Sequence, residues 1–320
     1  MALFDLPLEQ LQTYGGVNPC PPDFDQYWEK ALKELQGVAP CPELKPAAFQ
    51  VPFAECFDLY FTGVGGARIH ARYLQPRQAA APHPAVLMFH GYSANAGDWS
   101  DKLNFVALGF SVAALDCRGQ GGSSEDTGSI RGTTIHGHII RGIDDAPEKL
   151  LFRQIFLDTA QLAQVVINLP GVDKTKIGTI GGSQGGGLSL ACASLVPEIK
   201  RCVAHFPYLL DYKRIWDLEL TGTACEELRY YFRTIDPLHE RETEIFTKLG
   251  YIDVQYLVKR IKAEVLLVTG LMDTTCPPSI QFAAYNKITA PKQMKIYPDY
   301  GHEWPYPQYG DITYNFLAEL

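Results

Sequence analysis

The chain has 320 residues, enough to bury one large core or two modest ones, and its 46% hydrophobic, 20% charged composition is that of an ordinary globular protein. A formal charge of −8 argues against a nucleic-acid or anionic-membrane surface. No run approaches about 18 consecutive apolar residues, so no membrane-spanning helix is expected. The opening MALFDLPLEQLQTYGG carries an early Asp5 and no basic stretch leading into an apolar one, so it does not read as a secretion signal. Eight cysteines are scattered without CxxC pairs or zinc-like spacing. Cys117, Cys192 and Cys202 fall in apolar runs, where a free thiol behaves as a small hydrophobe; a reducing, cytoplasmic compartment is expected.

In chain order, PDFDQYWEKALKELQ (22–36) places Phe24, Trp28, Ala31, Leu32 and Leu35 on one helical face, starting after Pro22 and Asp23. FDLYFTGVGGARIHARYL (57–74) alternates apolar and polar residues on both sides of a glycine-bearing turn, the pattern of an antiparallel hairpin. From residue 84 the texture changes. PAVLMF (84–89), FSVAALD (110–116), KIGTIG (176–181), KRCVAHF (200–206), EVLLVTG (264–270) and MKIYP (294–298) are short apolar runs bounded by turn residues. Helical stretches such as 150–169 and 278–288 lie between most of them. Strands buried on both faces and separated by helices predict a mostly parallel α/β sheet with helices on both faces. Residues 211–262, rich in Arg, Glu and aromatics, read as a helical insertion, and residues 1–50 as an N-terminal helical extension, of a single domain spanning 1–320.

Residues 177–187, IGTIGGSQGGG, match G-x-S-x-G as Gly181, Gly182, Ser183, Gln184 and Gly185. With a strand before and a helix after, this is the context of a nucleophile elbow, where small neighbours let a serine take a strained conformation and the helix N-terminus faces the site. The alternatives are a packing turn or a phosphate loop. The Gly-Lys-Ser/Thr ending of a P-loop is missing, and no GxGxxG with a ribose-binding acid is evident.

A serine hydroxyl needs a base, and in elbow enzymes the acid and histidine follow it in the chain. Of the histidines weighed, His239 sits in a charged part of the insertion, whereas His302 lies in a loop just past the last strand and is the expected base. Asp273, shortly after the strand 264–270, is the expected orienting acid; Asp299 is its rival but more plausibly shapes the turn before His302. The oxyanion donors should be the backbone N–H of Gln184, directly after the serine, and that of Tyr92, in the loop that follows His90-Gly91. His90 precedes the serine and is read as a structural residue bonded within its loop.

Taken together these residues resemble the acetyl xylan esterase/cephalosporin-C deacetylase family, carbohydrate esterase family seven, of the α/β-hydrolases. Its three marks are present in order: Arg118-Gly119-Gln120, G-x-S-Q-G at Ser183, and His302-Glu303. FDLPLEQL, PCPPDFDQYW, GHIIRG, FRQIFLDTAQL, FTKLGYIDV and DTTCPP extend the resemblance over nearly the whole chain. It implies an α/β-hydrolase fold and deacetylation of short acetylated xylo-oligosaccharides and of cephalosporin C by a triad of Ser183, Asp273 and His302, with Tyr92 and Gln184 as the oxyanion hole. It implies no metal and no organic cofactor, and a homohexamer whose sites face an internal cavity. Arg118 is read as structural, fixing neighbouring loops through bidentate hydrogen bonds, and Glu303 as holding the His302 loop. Tyr92, Tyr208, Thr275 and Pro277, the last within the Cys276-Pro277-Pro278 loop beside Asp273, are expected to wall a small acyl pocket; ordinary core packing is the alternative. The rival functions are a short-chain carboxylesterase or peptide hydrolase with the same chemistry, and a catalytically inert binding module. A haloalkane dehalogenase is disfavoured because the elbow carries Ser rather than Asp.

Overall fold

The computed structural model describes residues 5–320 except 79–80, 133, 135–136 and 221–225. The strands are β1 (Glu43–Pro46), β2 (Ala54–Thr62), β3 (Arg68–Pro76), β4 (His83–Phe89), β5 (Ser111–Leu115), β6 (Val172–Gly182), β7 (Ile199–His205), β8 (Glu264–Gly270) and β9 (Lys292–Tyr297). The helices are α1 (Leu8–Leu11), α2 (Phe24–Gln36), α3 (Leu103–Ala107), α4 (Leu151–Ile167), α5 (Gln184–Leu195), α6 (Tyr212–Asp217), α7 (Glu226–Thr234), α8 (Glu242–Leu249), α9 (Val254–Leu257), α10 (Pro278–Lys287) and α11 (Tyr309–Ala318). The sheet runs β1-β2-β3-β5-β4-β6-β7-β8-β9; the first three pairings are antiparallel and the rest parallel. This is the α/β-hydrolase arrangement. No helix among the described residues is long and apolar enough to cross a membrane.

Period-two alternation divides the strands between two apolar layers. Ala85, Leu87 and Phe89 of β4, with Cys202 and Ala204 of β7, join the larger cluster built with α2, α4, α5 and the insertion helices. Val86 of β4, Val203 of β7, and Leu266 and Val268 of β8 face a smaller one with Phe105 of α3 and Phe316 and Leu317 of α11. Both faces of the sheet are therefore covered, which is why its central strands read as unbroken apolar runs. On α2 the buried face is Phe24, Tyr27, Trp28, Ala31 and Leu35. Trp28 donates its indole N–H to the Tyr251 carbonyl at 2.9 Å, tying α2 to the insertion.

Residues 43–46, assigned on sequence to a helical extension, form the edge strand β1 paired with β2. All four are exposed, so no alternation marks the segment. The Arg118 guanidinium grips Asp158 of α4 through Nε and Nη2, both at 2.6 Å, and also donates to the Val64 carbonyl. Both partners are buried. Losing one alone would leave an uncompensated buried charge, a cost of about 3–5 kcal/mol.

His205 ends β7 fully buried, enclosed by the rings of Phe206, Trp304, Tyr306 and Tyr309. Neither ring nitrogen has a hydrogen-bond partner among the described residues. Burial, reinforced by His302, pushes its pKa down to about 2. Because the folded value lies below the unfolded one, near 6.5, this residue's contribution is intact above pH 6.5 and is lost as pH falls. The loss by pH 5 is about 2 kcal/mol. His205→Phe should therefore raise stability, and by more at pH 5 than at pH 8, in urea unfolding followed at both pH values. A stabilisation independent of pH would show that His205 is not held neutral.

Candidate active site

The elbow is shaped by close backbone approaches. A Cβ on Gly181 would lie 2.4 Å from the Gly185 backbone, and one on Gly185 would lie 2.0 Å from the Phe89 carbonyl oxygen. The strand-to-helix turn and the end of β4 leave no room for any side chain at either position. Between them Ser183 adopts φ 56, ψ −123, a region costly for a residue with a Cβ, and stands at the N-cap of α5. Three hydrogen bonds hold it there. Its N–H donates to the His205 carbonyl at 2.9 Å, and its own carbonyl accepts from the N–H groups of Gly187 at 3.1 Å and Tyr208 at 2.9 Å. The result is a half-buried hydroxyl at the start of a twelve-residue helix, whose N-terminus favours negative charge.

Asp273 and His302 come to this point from the ends of β8 and β9. Asp273 is fully buried; its Oδ1 accepts from the N–H groups of Thr275 at 2.9 Å and Cys276 at 2.8 Å. Its Oδ2 lies 2.8 Å from His302 Nδ1. That pairing leaves Nε2 of the imidazole as the acceptor, the tautomer a general base requires. Phe206 packs against the His302 ring with centroids 4.3 Å apart. The Ser183 Oγ sits 4.0 Å from Cys276 Sγ, and no Ser183–His302 hydrogen bond is formed in this structure. Such bonds are often long before substrate binds.

The loops after β4 and β5 close the third side. Gln184 and Gln120 exchange side-chain hydrogen bonds at 2.9 and 3.1 Å, and Gln120 Oε1 also accepts from the Ser93 N–H at 3.0 Å. One amide thus joins the elbow to the loop that carries Tyr92. The Tyr92 hydroxyl donates to Glu227 of α7 and accepts from the His138 N–H at 2.7 Å, while Glu227 Oε2 accepts from the Ile140 N–H at 2.9 Å. Complete burial pushes the Glu227 carboxyl up to about 7 against the pull of these donors, and burial together with Glu227 raises the Tyr92 phenol. Tyr208, buried, meets the Tyr92 ring edge-on at 6.1 Å.

The structure brings Ser183, Asp273, His302, Gln184, Tyr92, Tyr208, Thr275 and Pro277 to the carboxyl edge of the sheet, the usual crevice of open α/β sheets. A cavity of about 340 Å³ borders Gly181, Gly182 and Trp304, but Tyr208, Thr275 and Pro277 do not line it. Asp299 is exposed, and His239 is paired with Glu242 in the insertion. His90 donates to its neighbouring Gly91 carbonyl at 2.7 Å and accepts from the Cys117 N–H at 3.0 Å. Glu303 is exposed; the His302 turn is held instead by the Tyr306 hydroxyl, which donates to the Gly301 carbonyl, and by the Met272 N–H, which donates to the Tyr300 carbonyl. His205 also follows Ser183 in the chain, at the end of the apolar run that forms β7. Its burial in a cage of rings removes it as a base. Cys276 falls in the loop expected to wall the pocket, but nothing in the sequence marks Glu227 as a site residue. Glu227 lies 135 positions from Tyr92, and no local pattern signals such a pairing.

The geometry has counterparts among known proteins. The solved structure of acetyl xylan esterase 1 from Thermoanaerobacterium sp. JW/SL YS485 superimposes with a TM-score of 0.97 at 59% identity, over 99% of each chain. That of the acetyl xylan esterase from Paenibacillus sp. R4 gives 0.93 at 32% identity, over 98% of this chain and 99% of that one. Acetyl esterase Axe7A of Xylanibacter ruminicola is 27% identical over 288 residues, and the chain spans 62% of that relative's length. The acetyl xylan esterase (AXE1) family model matches residues 1–320. With a strained elbow serine, a family match along its whole length and these two structural likenesses, the chain belongs to the acetyl xylan esterase/cephalosporin-C deacetylase family and is a serine-dependent carboxylic ester hydrolase.

Proposed function

We propose that the protein removes acetyl groups from short acetylated xylo-oligosaccharides, and from cephalosporin C, with Ser183 as nucleophile, His302 as base and Asp273 as the group that orients it. The observation that carries this reading is the 2.8 Å pairing of Asp273 with His302 beside a strained, helix-capping serine. Ser183 Oγ attacks the acetyl carbonyl carbon as its proton passes to His302 Nε2. The resulting oxyanion is received by the backbone N–H groups of Tyr92 and Gln184, each such donor contributing on the order of 3 kcal/mol to transition-state stability. The C–O bond to the sugar breaks as Nε2 returns the proton to the leaving oxygen. Water, deprotonated by the same nitrogen, then releases acetate from the acyl-serine. No cofactor enters these steps. Tyr92, Tyr208, Thr275 and Pro277 wall the acyl side of the site in this reading.

The same reading takes residues 1–320 as one catalytic domain, with 1–50 an extension and about 211–262 an insertion upon it. It assembles six copies around enclosed sites. It places the protein in the cytoplasm, which suits cysteines that form no disulfide among the described residues.

Ser183→Ala should fold normally and lose ester hydrolysis by about 10⁴-fold or more. Activity within tenfold of the parent would refute its role. The two acids separate in the same assay. Asp273→Asn misorients His302 and should cut kcat by about 10⁴, whereas Asp299→Asn should do far less; the reverse order, with both variants folded, would exchange their roles. A small acyl slot and enclosed sites predict acetyl esters over longer acyl esters, and short acetylated fragments over polymeric acetyl xylan. Light scattering combined with acetate release from fragments of increasing length tests this. A monomer that deacetylates polymer as fast as trimer, per acetyl group, would overturn the enclosed-site arrangement.

A further inference from the structure

The Ser183 hydroxyl looks across 4.0 Å at a thiol that the hydrolytic steps do not use. Cys276 is fully buried on the turn between β8 and α10, and its N–H is fixed to Asp273 Oδ1 at 2.8 Å. Its sulfur, a carboxylate oxygen of Asp273 and a ring nitrogen of His302 all lie within 4.8 Å of one another. A tetrahedral zinc ion bound at about 2.0–2.3 Å to such ligands needs them roughly 3.2–3.7 Å apart. Asp273 and His302 are already closer than that, at 2.8 Å, and a side-chain adjustment of about 1 Å brings in the sulfur. The Asp273 side chain is fully buried while that of His302 is 23% exposed, so the ring opens the group to solvent.

From this geometry we infer that Asp273, Cys276 and His302 form an inhibitory site for a thiophilic divalent cation such as Zn²⁺ or Cd²⁺. One thiolate, one imidazole and one carboxylate are the donor set of zinc rather than of Mg²⁺ or Ca²⁺, which prefer an all-oxygen shell. Three protein ligands leave a fourth position for water or the neighbouring Ser183 oxygen. Coordination replaces the thiol proton of Cys276, so one proton leaves per ion bound; Asp273 and the imidazole bind without net proton loss. Binding through Nδ1 moves the ring proton to Nε2, and binding through Nε2 occupies that lone pair. In both cases the ring can no longer accept the serine proton. That inhibition follows rests on the function proposed above; occupancy of the site does not.

The test therefore reads binding and turnover separately. Ser183→Ala keeps the three ligands and should bind one equivalent of Co²⁺ with a thiolate-to-metal charge-transfer absorption. Adding Cys276→Ala or His302→Ala should remove that band, so a variant that fails to fold does not decide the matter alone. Cys20→Ser/Cys41→Ser, which removes the thiols exposed among the described residues, should keep it. In the parent enzyme Zn²⁺ should suppress hydrolysis of an acetyl ester reversibly on chelation. Relative to its own metal-free rate, Cys276→Ala should need about tenfold more zinc or beyond for the same inhibition. A Ser183→Ala protein without the band, or a band that survives both ligand substitutions, would overturn the site. A band without zinc inhibition of hydrolysis would overturn the inhibitory part of the inference. An enzyme without ester hydrolysis would strike the proposed function while the cobalt signal still reported on the site.

Discussion

The close approach of three backbone segments around Ser183 is the constraint on which the rest of the site depends. Gly185 lies against the Phe89 carbonyl at the end of β4, Gly181 against Gly185, and Ser183 is pinned to the His205 carbonyl. A side chain at either glycine would separate strand from helix and carry the hydroxyl away from the sheet edge. The positive φ of Ser183 is strain that the surrounding hydrogen bonds and packed strands over-determine. Helix α5 is buried along its whole length, so the elbow cannot relax by tilting it.

Around this point the protein uses buried polar contacts to align loops of distant origin. The Arg118-Gly119-Gln120 segment serves twice. Arg118 locks the loop to Asp158 on α4, and Gln120 ties Gln184 to the Ser93 N–H. The N-terminal segment adds a third tether. Asp5 accepts from the Ser279 N–H at 2.7 Å and from Arg214 at 2.8 Å, holding the start of α10 just beyond the Cys276 turn. Asp211 accepts from the N–H groups of Val17 and Asn18 and from the Tyr14 hydroxyl. These carboxylates have little water to fall back on, so each contact is costly to break.

Glu227 shows how the insertion enters the site. Helix α7 delivers a carboxyl that lacks a cationic partner among the described residues and relies on a phenol and backbone N–H groups instead. Its elevated pKa expresses that shortage of compensation. The insertion thereby reaches Tyr92, whose backbone is the proposed oxyanion donor, through the Glu227 carboxyl. Cys276, beside the elbow and beside Asp273, is the other group whose chemistry exceeds its place in the fold.

Much of this was legible in the chain itself. Alternation around a glycine-bearing turn announced the 57–74 hairpin, short apolar runs the parallel strands, Phe24, Trp28, Ala31 and Leu35 the face of α2, and the spacing around Ser183 the elbow, because each is a local pattern read within one element. The order of Ser183, Asp273 and His302 narrowed the partners because connections in such folds bring strand ends to one edge. Tertiary structure alone decided the rest. The exposed edge strand β1 left no alternation to detect, and the caging of His205 depends on rings from residues about a hundred positions away. The pairing of Gln120 with Gln184, the reach of Glu227 to Tyr92 and the placing of Cys276 beside Ser183 join residues 64, 135 and 93 positions apart. Amphipathic periodicity records which face of an element is buried; it carries no record of which distant polar atom will satisfy another once water is excluded.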